Sequence, residues 1–322
     1  MHVVEFQPLL KRIRWGGDRL GRVLGKRIGD EGDYAESWEV VDHGFDQSVV
    51  TGGEFEGWTL RRLVEQQASA LFGSRQKFDQ FPLLIKFLDA TDRLSVQVHP
   101  NDEQAKRFDA SENGKTEAWV IIDAEPKSQL YAGLKSGVDR EDLSRHLRDG
   151  TVEVCLHSFE VHPGDCLFIP SGTVHAIGEG ILLAEVQQSS DLTFRMYDWG
   201  RLGADGQPRE LHIESSMQCI DFDRGPVNPV EPREVSTGPH SVEELVHAST
   251  FAMFRHTARE PFVITADDRF RVLTILGGRA TWSNGPVRGR CEIGQTLLLP
   301  ASAPRIEFEP DGELIVLESF VP

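Results

Sequence analysis

Gly164-Asp165-Cys166-Leu167-Phe168-Ile169-Pro170 and Gly294-Gln295-Thr296-Leu297-Leu298-Leu299-Pro300 carry one pattern twice. Each copy reads as a turn, a short apolar strand, and a Pro that ends the strand because it cannot donate to a sheet ladder. The copies lie 130 residues apart in a 322-residue chain. Two copies point to two related β units rather than one large sheet. Short apolar runs punctuated by Gly, Pro, Asn and Asp fill much of the remaining chain, as in mostly-β proteins.

Beyond the two prolines the copies diverge. His175 comes five residues after the first Pro, and Arg305 takes the equivalent place after the second. The first unit can therefore offer a metal ligand where the second offers a cation. Between them, Arg224 to His240 holds four prolines and few large apolar residues, which reads as a linker. The expected division is a chemistry-bearing unit over residues 1–228 and a metal-free β unit over residues 229–322. Three helices are predicted. Trp58 to Phe72 has helix-like apolar spacing, Asp139 to Arg148 begins with an Asp cap, and Ser241 to Ala248 opens on a capping-box pattern.

Composition narrows the function. The formal charge is −17, from 51 acidic and 34 basic residues. Nucleic acids and anionic lipids demand a basic footprint, so neither is expected as the main partner. A small anion would need a local cluster of Lys and Arg. No apolar run reaches a membrane-spanning length of about 18 residues, and the start does not read as a signal peptide, so the cytoplasm is the expected compartment. Cys155, Cys166, Cys219 and Cys291 are scattered, as buried thiols are, rather than paired for a disulfide or thiolate metal site.

Three segments concentrate the chemistry. In Leu94-Ser95-Val96-Gln97-Val98-His99-Pro100, strand alternation puts Ser95, Gln97 and His99 on one face. In Gly114-Lys115-Thr116-Glu117-Ala118-Trp119 it puts Lys115, Glu117 and Trp119 together. A Lys beside a Glu is commonly a plain ion pair. His175, entering a strand after Pro170-Ser171-Gly172, would by itself read as a turn or core histidine. Taken with Gln97, His99 and Glu117, it completes a four-ligand set.

These segments resemble the two halves of a cupin signature, and more narrowly the type I mannose-6-phosphate isomerases in their short bacterial form. Trp15-Gly16-Gly17, Glu36-Ser37-Trp38-Glu39, Leu83-Leu84-Ile85-Lys86 and Ser189-Ser190-Asp191 through Arg195 to Asp198-Trp199-Gly200-Arg201 extend the match in order from residue 11 to about 201. The resemblance implies two cupin jelly-roll barrels and one Zn²⁺ held by Gln97, His99, Glu117 and His175. It further implies a sugar-phosphate substrate and interconversion of mannose 6-phosphate and fructose 6-phosphate through an enediol. Lys86, Lys115 and Arg195 match its active-site segments. The ligands carry one negative charge, which leaves a bound Zn²⁺ electrophilic.

Lys86 lies in an otherwise apolar strand, where an ammonium needs a partner or a cleft. Lys115, close to a metal, is a candidate base through a depressed pKa. Arg195 suits a phosphate or an enediolate. Lys11 and Arg201 read as solvated charges, and Glu185 and Asp191 as structural hydrogen-bond formers. The chain is too short for the extra helical domain of longer family members. Two rival readings stand beside the isomerase: an Fe(II) cupin oxygenase, against which Gln97 weighs, and a non-catalytic sugar-phosphate-binding cupin, against which the three cations weigh.

Overall fold

Strand order repeats between the two parts of the chain. In the computed structural model, which describes residues 1–74, 76–203 and 206–322, an antiparallel six-stranded sheet runs Cys166–Ile169, Glu117–Ala124, Ile181–Gln188, Leu83–Ala90, Tyr34–Val40, Leu9–Gly17. Its counterpart begins in the same sequence of roles: Thr296–Leu299, Arg271–Gly277, Leu314–Phe320, Ala252–Ala258, His240–His247, Arg233–Ser236. The two copies of the Gly-to-Pro pattern thus form equivalent strands. Gly164 and Gly294, at φ +95° and +87°, make the turns that enter them.

Each large sheet faces a smaller one. Opposite the first lies a five-stranded sheet, Leu156–Glu160, Gln129–Leu134, His175–Ile177, Val96–Val98, Phe194–Tyr197. Opposite the second lies a four-stranded sheet, Phe262–Thr265, Arg305–Pro310, Arg279–Asn284, Val287–Glu292. Alternation along the strands explains the stacking. Leu183, Trp119 and Leu167 pack with Leu130 and Ile177 inside the first sandwich. Leu182, Val120 and Phe87 point the other way, onto Met253, Val272 and Leu317 of the second large sheet. Leu273, Leu297 and Val316 then meet Ile306 and Phe308 inside the second sandwich. The result is four stacked sheets, of five, six, eight and four strands in turn. The halves are jelly-roll sandwiches, open along their edges rather than closed barrels, since the described ladders do not join the facing sheets.

The eight-stranded sheet gains two strands from the chain's beginning. Val4–Gln7 pairs with Thr296–Leu299 through Val4↔Leu298, and on its other side with Val49–Val50 through Phe6↔Val50.

Two predicted helices form. Leu60–Phe72 is capped by Thr59, whose side chain accepts from Arg62 N, and it buries Leu60, Leu63, Val64, Leu71 and Phe72. Arg140–Asp149 is capped by Asp139 and closed by Gly150 at φ +68°. Ser241 to Ala248, the third, is instead extended, with all but Ala248 in the strand His240–His247, which pairs along its length with Ala252–Ala258. Tertiary pairing overrides the local capping pattern there. The proline-rich segment also includes a short exposed edge strand, Arg233–Ser236.

Candidate active site

The interior of the first sandwich carries the polar residues. Val96 and Val98 face outward into a cluster with Phe194 and Met196, so Gln97 faces in. Gln97 pairs with His175 on one side and Arg195 on the other. On the facing sheet, Glu117 lies beside Gln187, and Trp119 beside Glu185, which in turn lies beside Lys86. The four expected ligands and Lys86, Lys115 and Arg195 therefore converge from facing sheets onto one interior.

Distances within the cluster are those of a metal site. The ligand atoms of His99, Glu117 and His175 all lie within 4.8 Å of one another, and all three residues are buried. His175 Nε2 is 3.1 Å from Glu117 Oε1, His99 Nε2 is 3.5 Å from Glu117 Oε2, and the Gln97 amide nitrogen is 3.3 Å from His175 Nε2. A tetrahedral ion with bonds of about 2.1 Å separates its ligand atoms by roughly 3.4 Å. Each imidazole is also oriented from behind. His99 Nδ1 donates to the Leu192 carbonyl at 3.0 Å and His175 Nδ1 to the Thr173 carbonyl at 2.9 Å, which leaves both Nε2 atoms turned inward. Gln97's amide oxygen and nitrogen exchange by a half-turn, so either can face the same point.

Glu117 supplies the independent test of fit. Both its oxygens are buried, and among the described residues neither receives a well-aligned hydrogen bond. Lys115 Nζ approaches Oε2 to 2.7 Å as an ion pair. A buried carboxylate left in this state is costly without a further cation. Burial alone would raise its pKa, but Lys115, His99 and His175 outweigh that and hold it well below the usual carboxylate range. Burial, and then the charge on Lys115, pushes His99 well below the ordinary histidine value. A carboxylate with a neutral imidazole is the protonation state that metals bind.

The cations are placed differently from one another. Burial alone would lower Lys115, yet Glu117 and Glu185 hold it above its ordinary value, which makes it an ammonium beside these carboxylates. Lys86 lies 3.5 Å from Glu36 and 3.8 Å from Glu185, with Nζ 4.5 Å from the centre of the Trp38 ring. Arg195 is half-buried; its side chain meets the Ser95 hydroxyl at 3.3 Å and the Glu210 carbonyl at 3.0 Å. Lys11 pairs with Asp46 at 2.5 Å, and Arg201 with Asp198 and Asp92.

Glu185, which the sequence presents as structural, stands in the cavity, and its placement there is the main addition. Its Oε1 accepts from Trp119 Nε1 at 3.0 Å. Burial pushes its carboxyl up to about 7, against Lys115 and with Glu117. A signal for this exists: alternation in Ile181–Gln188 puts Glu185 on the face of Ile181, Leu183 and Gln187.

By register, the second sandwich lacks this ligand set. Ile169 pairs with Glu117 in the first, and the equivalent Leu299 pairs with Arg271 in the second. Gln97 pairs with His175, and at the matching place Thr265 pairs with Arg305. Arg271 is buried, 2.9 Å from Glu318.

The profile of the phosphomannose isomerase type I catalytic domain matches residues 3–142. Mannose-6-phosphate isomerase ManA of Bacillus subtilis is 34% identical over 320 residues, covering 97% of each chain. The mannose-6-phosphate isomerase of Streptococcus mutans is 34% identical over 313 residues, again 97% of each. Among solved structures, the mannose 6-phosphate isomerase from Bacillus subtilis superimposes with a TM-score of 0.90 at 29% identity, over 98% of this chain and 99% of that one.

Proposed function

The chain belongs to the type I phosphomannose isomerases, and on that basis we propose that it interconverts mannose 6-phosphate and fructose 6-phosphate with one Zn²⁺ held by Gln97, His99, Glu117 and His175. The observation that carries the metal is Glu117, a buried carboxylate that faces two imidazole nitrogens and, apart from its ion pair with Lys115, receives no well-aligned hydrogen bond among the described residues. Nitrogen and oxygen donors at these spacings suit zinc. When bound, zinc supplies Lewis acidity and orientation for the sugar's oxygens.

The remaining work falls to side chains. Aldose–ketose isomerisation moves a proton between neighbouring carbons through an enediol, so it needs an oxyanion grip and a proton carrier. Arg195, which meets a hydroxyl and a carbonyl, has guanidinium capacity left for a phosphate or an enediolate. Lys86 and Lys115 offset the charge of the carboxylates Glu36 and Glu117. Glu185, poised near neutrality, is the group we assign to carry the proton. Dry walls of Trp119, Leu183 and Ile177 strengthen each of these interactions.

The same reading makes residues 1–228 the catalytic cupin unit, completed at its edge by contacts to the rest, and residues 229–322 the metal-free one. Arg271 and Arg305 at the ligand positions support this. It also sets the enzyme in the cytoplasm, in keeping with four unpaired, buried cysteines. Among the described residues, no helix is long and apolar enough to cross a membrane.

The test is turnover of mannose 6-phosphate by purified protein, before and after chelation and zinc restoration, beside Glu117→Ala. Fructose 6-phosphate formation should require zinc and fall by at least about 100-fold in the variant. Zinc binding with no turnover in the wild-type protein would sink the isomerase assignment for this sugar.

A further inference from the structure

At the rim, the hairpin of Asp42–His43 and Asp46–Gln47 turns through Gly44 and Phe45. The Phe45 ring is fully exposed. Strands of two residues with an exposed apolar tip have little packing to hold them. Polar contacts hold them instead. Arg61 Nε donates to Asp42 at 2.8 Å, Phe81 N donates to Asp42 at 2.9 Å, Lys11 pairs with Asp46, and His43 Nε2 meets Glu112 Oε1 at 2.9 Å.

Glu112 has a second partner. Its Oε2 accepts from the Ser190 hydroxyl at 3.0 Å, and Ser190 is fully buried. The Ser190 oxygen accepts in turn from Leu192 N at 3.2 Å, and the Leu192 carbonyl is the acceptor for His99 Nδ1. A hydroxyl has one proton to give, and Ser190 gives it to Glu112, which orients its lone pairs toward Leu192. One run of contacts, His43–Glu112–Ser190–Leu192–His99, thus joins the exposed hairpin to a candidate metal ligand.

We propose that Glu112 is a positioning residue for His99: its carboxylate braces the Ser190–Leu192 segment on which His99 is hung and ties the rim hairpin to that segment, so that rim and ligand are ordered together. It braces the segment beside the Gln187 amide, which donates to the Ser190 carbonyl at 2.7 Å, and ties the hairpin alongside the Ser189 hydroxyl, which donates to the Asp42 carbonyl at 3.3 Å. The inference rests on reading His99, Glu117 and His175 as a zinc site. Glu112 is not one of the clustered ligand residues His99, Glu117 and His175. Losing it strands the buried Ser190 proton and loosens the segment behind His99.

Zinc affinity of the full chain, read by competition with a chromophoric chelator, is the deciding measurement. Hydrogen exchange over residues 42–47 and 189–193, with kcat and KM for mannose 6-phosphate, accompanies it. Glu112→Ala should weaken zinc binding about 10-fold or more, the scale of lost outer-shell support, and speed exchange in both segments. Glu112→Gln keeps an acceptor for Ser190 and should restore affinity to within about 3-fold of wild type, since the amide replaces the lost partner. His43→Ala should speed exchange over residues 42–47 alone and leave zinc affinity near wild type. Should Glu112→Ala prove unstable, Ser190→Ala probes the next contact and should weaken zinc in the same direction. Wild-type zinc affinity in Glu112→Ala, or in Ser190→Ala where that stands in, overturns the proposal. Wild-type protein that binds zinc without turnover overturns only the isomerase reading. Wild-type protein that binds no zinc overturns the ligand assignment and this inference with it.

Discussion

Glu185 keeps its proton up to about pH 7 because burial disfavours the carboxylate, with Glu117 adding to that against Lys115 and Lys86. An unfolded glutamate releases its proton near 4.3, so from there upward only the unfolded chain gains by ionising. The group's stabilising share is therefore whole below about pH 4.3 and is lost as pH rises through about 7. Glu185→Gln keeps an acceptor for Trp119 and does not ionise. In metal-stripped protein, the urea midpoint of wild type relative to Glu185→Gln should decline between pH 5 and pH 8. A difference that stays level across that range would contradict the assignment. For single residues the sequence is informative wherever strand alternation operates: Gln97, His99 and Glu117 share an interior because their strands force it. Glu112 lies in a loop with no period, and its partner Ser190 is 78 residues away, so no local pattern announces it.

Among the elements, Arg140–Asp149 is legible because its signals agree. Asp139 accepts from Glu141 N and Asp142 N, Gly150 closes the far end, and Leu143 is buried. Asp139→Ala should cost about 1 kcal/mol in urea unfolding and leave turnover unchanged, since this helix lies outside the cavity. A loss of turnover without loss of stability would show that the helix shapes the site. Ser241 to Ala248 misleads for the opposite reason. Its capping pattern speaks for a helix, while Leu245 and Val246 are consecutive and both buried, packed from a bulged strand. The partner that decides this, Ala252–Ala258, lies just beyond any window of helical periodicity. Local signals lose where a ladder on both sides is available.

Across the molecule, the repeated Gly-to-Pro pattern discloses the duplication, but not how the halves meet. The back-to-back stacking of the large sheets depends on the face of each turned away from its own sandwich being apolar, Leu182, Val120 and Phe87 against Met253, Val272 and Leu317, which strand-by-strand reading does not register. Duplication also shows where the copies parted. Arg271 stands at the register position of Glu117, and it neutralises Glu318 with a charge built into the chain. Arg271→Met should destabilise the protein by about 3–5 kcal/mol, because Glu318 is left buried with His256 alone. Zinc per chain, by elemental analysis, should remain one. A rise to two would mean that the second sandwich retains a usable site. Val4–Gln7, which completes the sheet built by the last third of the chain, has a consequence for synthesis. Val49–Val50 can meet it early, but its other ladder partner, Thr296–Leu299, is made nearly 300 residues later, so the early half waits with an open edge. Closing that seam joins segments almost the full chain apart, a high-contact-order step that is slow by nature. The seam therefore makes the birth of both sandwiches a single event, which cannot finish before Thr296–Leu299 has been made.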